Sequence, residues 1–135
     1  MSDLALSAIR GVALTFTGDP FSGPSESAMR YERDAILVME DGLITEFGDA
    51  GALLPTLPDD IEITTYPDSL ILPGFIDCHV HYPQTQIIDA GGEALIDWLD
   101  KYTFVAEQAF AERDHASESA EVFCPELLRN GTTTA

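Results

Sequence analysis

Pro73-Gly74 marks a change of hydrophobic period in the sequence, and that change limits the fold more than any other feature. From residue 11 to about 72 the chain reads as strands. "GVALTFT" is rich in β-formers, "AILVME" and "LITEF" flank Asp41-Gly42, and "IEITTY" alternates before Pro67. The Asp-Gly pair predicts a two-residue hairpin turn, because both of its positions favour positive φ. The Gly, Pro and Ser density of "GDPFSGPSESAMRYERD" predicts a long loop between the first strand and that hairpin. Internal repeats and low-complexity tracts are absent from the sequence.

After Pro73-Gly74, "FIDCHVH" predicts one buried strand and the residues beyond it predict helices. In "GEALIDWLDKY" the apolar Leu95, Trp98, Leu99 and Tyr102 recur at spacings of three and four and form one helix face. Ala120, Phe123, Cys124, Leu127 and Leu128 repeat the logic, with Pro125 predicting a kink or a fresh helix start. Asn130-Gly131 supplies a helix stop, and "TTTA" opens another β-rich segment. A strand–helix–strand unit is the repeat of a parallel α/β sheet, and one unit alone can neither bury both strand faces nor close a barrel. The expectation is therefore an α/β chain that is truncated, its remaining strands lying elsewhere.

Charge narrows the partners. Twenty-four Asp and Glu against six Lys and Arg leave a net charge of −18, which opposes any polyanion and excludes nucleic acid as a partner. A salt-adapted proteome and a solubility bias both account for such acidity. The first ten residues, "MSDLALSAIR", lack a basic leader, so no signal peptide is expected. No run approaches the roughly 18 apolar residues of a membrane span, so no membrane association is expected either. Cys78 and Cys124 lack CxxC spacing and are expected as free, buried thiols in a reducing cytoplasm.

Two of the three histidines, His79 and His81, stand one residue apart at the end of the apolar strand. Strand residues two apart share a face, so Asp77, His79 and His81 are expected to project together while Ile76, Cys78 and Val80 pack the other side. Two imidazoles so placed can converge on one metal ion. Asp77, one step deeper, is expected to brace neighbouring backbone. His115, in the polar "AERDHASES", is expected at the solvated surface. A catalytic zinc site keeps about three protein ligands and a water, so two histidines do not complete one. Imidazole suits zinc and iron alike.

The segment "LPGFIDCHVH" resembles the amidohydrolase superfamily, and three further stretches resemble its guanine deaminase family. These are "HVHYPQTQIIDAGGEALIDWLDKYTFVAEQ", the closing "LLRNGTTTA" and the early "FTGDPF". The resemblance implies that residues 1–72 form part of a small N-terminal β-sandwich and residues 73–135 the beginning of a metal-dependent (β/α)8 barrel. It further implies that His79 and His81 bind one Zn2+, that Gln84 hydrogen-bonds the purine and that Trp98 lines the substrate pocket. A glutamine side chain carries both a donor and an acceptor, which suits the edge of a purine. The acid–base glutamate and the remaining ligands of the family fall beyond Ala135, so the fragment alone is expected to be inactive. The family usually has proline at the position of Val105 and no break at Pro125.

The activity so implied is hydrolytic deamination of guanine to xanthine and ammonia, with a zinc-activated water as nucleophile and a general acid for the departing ammonia. A small-molecule purine is the expected partner, with a cytoplasmic homodimer as the expected state. The cytidine-deaminase type of zinc site is excluded, since its H-x-E and P-C-x-x-C signature is missing and "CPEL" lacks the second cysteine. Two alternatives stand beside this reading. One is a related deaminase acting on a triazine, a pterin or another purine. The other is a non-catalytic fragment or interaction module.

Overall fold

A computed structural model of the chain describes residues 6–91 and 94–135. Met1–Ala5, on which the reading of the leader partly rests, and Gly92-Glu93, the start of "GEALIDWLDKY", lie outside the described residues. Two compact units divide at Pro73/Gly74.

The first unit is a four-stranded sheet in the order β3-β2-β1-β4, built from β1 (Ser7–Phe16), β2 (Met29–Glu40), β3 (Leu43–Asp49) and β4 (Glu62–Ile71). The first three strands run antiparallel, and β4 lies parallel to β1 at the edge. The hairpin between β2 and β3 turns at Asp41-Gly42 as expected, with φ of 53° and 78°. Across the sheet, Ile63, Ala8 and Val38 align in one row. Ala8, Ile36, Val38 and Ala50 form the buried core, covered by Leu53, Leu54, Leu57 and Ile61 from α1 (Ala50–Leu53) and the turn that follows it. Asp49 caps α1 by accepting the Ala52 N–H at 3.0 Å. The opposite face is open and apolar, forming a cleft of about 360 Å³ lined by Leu14, Leu37, Ile44, Phe47, Ile71 and Leu72.

Two boundaries differ from expectation. The loop expected across residues 18–34 ends at Ala28, because Met29, Arg30, Tyr31 and Glu32 pair with Phe16, Thr15, Leu14 and Ala13. Polar residues there alternate on a half-exposed strand, where cross-strand partners outweigh low intrinsic β-propensity. Nor does Pro67 end β4. The register slips between Gly11↔Tyr66 and Val12↔Leu70, and an edge strand tolerates a residue without an N–H. Gly11 is required at this slip, since a Cβ would stand 2.8 Å from the Tyr66 carbonyl oxygen.

On the surface of this unit, Arg10 makes a bidentate pair with Asp34 at 2.7 and 2.6 Å. The guanidinium holds the Asp34 carboxyl below the usual carboxylate range, chiefly by that hydrogen bonding. Asp19 is lowered too, by the Ser22 hydroxyl and then the Phe21 N–H.

The second unit pairs β5 (Phe75–Ile76) with β6 (Thr132–Thr134) in parallel. A helical excursion joins them through a 3-10 turn (Tyr82–Ile87), α2 (Leu95–Trp98), a π turn (Leu99–Thr103), α3 (Phe104–Gln108) and α4 (Arg113–Arg129). This is the expected strand–helix–strand unit. α4 stops at Asn130, with Gly131 at φ 83°. It continues through Pro125 as one helix, so the residue marks no fresh helix start. Val105, the other departure from the family pattern, lies exposed on α3. Tyr82 packs edge-on against Phe110 with ring centroids 5.1 Å apart, and lies 6.0 Å from Phe123 of α4.

Candidate active site

The strand expected through His81 stops at Ile76. Its partner β6 is three residues long, and the Asp77 N–H makes the last bond of the ladder, to the Thr134 carbonyl at 2.9 Å. The next amide, that of His79, donates to the Asp77 carboxylate at 3.0 Å. Such a local side-chain acceptor competes with further strand pairing. The aspartate thus braces backbone, in the manner expected of it.

The short strand also changes what surrounds it. Ile76, Cys78 and Val80, expected to be packed, are exposed among the described residues, where β5 has one partner strand, β6. Cys124, on α4, is exposed as well. Both cysteines are free thiols, but neither is buried.

The two histidines nevertheless converge. Nε2 of His79 lies 2.8 Å from Nε2 of His81, and the ring centroids are 4.9 Å apart. At that distance one ring donates and the other accepts a single proton. Among the described residues no group of three or more His, Cys, Asp or Glu is placed to hold a metal ion, so the two imidazoles stand as a pair.

Just after His81, the 3-10 turn starts with Tyr82-Pro83, and the Gln84 N–H donates to the His81 carbonyl at 3.0 Å. This turn returns the Gln84 side chain to the histidines, with its Nε2 3.3 Å from Nδ1 of His81. The same Nε2 donates to Oε1 of Glu107 on α3 at 3.0 Å. Trp98, at the end of α2, donates its indole N–H to the Ala90 carbonyl. Half-buried, it presents its ring to the same space. His79, His81, Gln84 and Trp98 therefore all line one open cleft of about 340 Å³, with Thr85 and Phe123 also in its wall. That volume falls at the lower end of small-ligand sites.

Two residues lie otherwise than the sequence suggests. His115 is half-buried rather than solvated, its ring edge-on to Phe110 at 4.7 Å between centroids. Glu107 receives no role from the sequence, yet it holds the Gln84 amide. The two are 23 positions apart, and no spacing rule relates a turn glutamine to a glutamate on a later helix.

Comparison with known proteins identifies relatives of this chain. Residues 70–135 match the amidohydrolase family. The guanine deaminase of Escherichia coli K12 is 39% identical over 132 residues, covering 96% of this chain and 30% of that protein. Its solved structure superposes with a TM-score of 0.85, covering 94% of this chain and 30% of the other. The guanine deaminase of Bradyrhizobium japonicum superposes with a TM-score of 0.86 at 36% identity, covering 96% and 28%. That of C. acetobutylicum, solved with guanine bound in its active site, gives 0.72 at 27% identity, covering 96% and 29%. The chain spans about 30% of the length of the curated relatives it matches. Over this span its fold is that of the guanine deaminase structures, and the chain belongs to the amidohydrolase family.

Proposed function

We propose that the protein containing this chain hydrolyses guanine to xanthine and ammonia, and that this chain supplies two metal ligands and part of the ring-binding wall. The observation that carries the reading is the convergence of His79 and His81 through Nε2 in a cleft also lined by Gln84 and Trp98. Likeness to guanine deaminases along nearly the whole chain supports the same reaction.

The donor set fits a divalent transition-metal ion. Both rings turn the same nitrogen toward one point, and neutral imidazole is a ligand for zinc and iron. We assign Zn2+, with the remaining ligands outside this chain. A cation held there supplies Lewis acidity to the hydrolysis. To hold a cation through both Nε2 atoms, the ring that donates in this pair would carry its proton on Nδ1 instead. Gln84 hydrogen-bonds the purine edge, and Trp98 offers an apolar wall to the flat ring. In the same reading, residues 1–72 belong to a small β-sandwich and residues 73–135 begin a (β/α)8 barrel. A cytoplasmic homodimer acting on a small purine completes it. Among the described residues no helix is long and apolar enough to cross a membrane.

The test is ammonia release from guanine by the intact protein, with metal analysis of the same sample. Release with about one metal per chain, both lost in His79→Ala and His81→Ala, is the expected result. Bound metal with release from a triazine or pterin and none from guanine would overturn the substrate while keeping the metal site.

A further inference from the structure

We infer that Glu107 is a positioning residue that fixes which end of the Gln84 amide meets the ligand, so that the site selects a ring presenting an N–H there. The inference rests on the proposed ring-binding role of Gln84 and adds to it a direction.

A glutamine amide has two faces of opposite chemistry, and rotation by half a turn about its last bond exchanges them with little change of shape. Left alone in a cleft, it can offer nitrogen or oxygen to whatever binds. Glu107 removes that choice. An ionised carboxylate only accepts hydrogen bonds, so the atom 3.0 Å from its Oε1 is the amide nitrogen. The contact is part-buried, and a charge-assisted bond is stronger than a neutral one. The amide oxygen is thereby the group left for a ligand.

The second neighbour of that nitrogen strengthens the case. Nδ1 of His81 lies 3.3 Å from Nε2 of Gln84, and it accepts only while the ring proton sits on Nε2. Once Nε2 of His81 serves as a ligand, Nδ1 carries the proton and becomes a donor itself. Two donors then face each other, and Glu107 is the partner that still holds the amide in place. With His81 serving as a ligand, Glu107 is the remaining partner for the Gln84 nitrogen among the described residues.

An oxygen facing the cleft accepts from a protonated ring nitrogen or an exocyclic amino group. Guanine carries both. A purine that presents an unprotonated ring nitrogen at that edge sets one acceptor against another and is rejected, since an unpaired polar group in a partly desolvated site is costly.

The experiment is a double-mutant cycle in the intact, metal-loaded protein with Gln84→Ala, Glu107→Ala and their combination, reading KM, kcat and ligand dissociation constants. Gln84→Ala and Glu107→Ala should each weaken guanine binding by about tenfold. Their combination should weaken it no further than either alone. Glu107→Gln should fall between, because a carboxamide can still accept from Gln84 but can also donate to it and so permits both orientations. Additive losses, or a Glu107→Ala protein that binds guanine like the wild type, would overturn the inference. Turnover by the wild-type protein tests the activity separately. If it acts on a triazine or a pterin instead of guanine, the same cycle run on that ring still decides the role of Glu107. If it binds none of these rings, both readings fall.

Discussion

Gly74 approaches Thr133 so closely that a Cβ on the glycine would lie 2.0 Å from the threonine hydroxyl oxygen and 2.6 Å from its Cβ. Glycine is thus a steric requirement where the chain enters β5, beside the strand with which β5 pairs. Gly74→Ala in the intact protein should cost about 1–3 kcal/mol in urea unfolding, the usual range for overpacking. Combined with Thr133→Gly, the same change should cost much less than it does alone. Equal costs in the two backgrounds would count against the contact.

The hairpin turn rests on backbone that L residues rarely adopt. Asp41 tolerates its φ of 53°, and Gly42 adopts 78° without strain. A Cβ on Gly42 would meet no atom within 4 Å, so the effect of Gly42→Ala is conformational alone. A loss of about 1 kcal/mol is expected, read as a lower urea midpoint with an unchanged slope.

Arg10 and Asp34 give a pH dependence of known sign. The Asp34 carboxyl is depressed in the folded protein, chiefly by its hydrogen bond to Arg10. Its contribution is therefore complete above the ordinary carboxylate range and is lost as pH falls through the lowered folded value. Both groups are exposed, so the effect is small. Arg10→Gln should melt slightly below the wild type at pH 7, and the two melting curves should merge in strong acid. A gap that widened with acid would contradict the pairing.

Trp98 joins the cleft to the backbone of Ala90 through its indole N–H. Trp98→Phe keeps an aromatic wall and removes the donor, leaving the Ala90 carbonyl to find another partner. A stability loss of about 1 kcal/mol is expected, with a rise in KM for guanine that exceeds any fall in kcat. A kcat collapse at unchanged KM would mean that the ring does more than shape the wall.

Local chemistry was legible in the sequence, and pairings over distance were not. Asp41-Gly42 and Asn130-Gly131 announce their turns because the conformational demand falls on the residues themselves. His79 and His81 declare their common direction through a two-residue spacing, which brings the rings together although the backbone there is a bend and not a strand. The start of β2 at Met29 depends on partners in β1, and the passage of β4 through Pro67 depends on its place at the sheet edge. Leu95, Trp98, Leu99 and Tyr102 read as one helix face, yet a π turn begins at Leu99, straight after α2. Glu107 was hidden for a similar reason, as its meaning comes wholly from Gln84.

The paired imidazoles, the amide, its glutamate and the indole all lie between residues 79 and 107. Contacts so close along the chain cost little loop-closure entropy and form early. On a ribosome, the residues of this cleft emerge as one stretch and can take shape together. The side chains that line the cleft therefore need no distant partner to find one another.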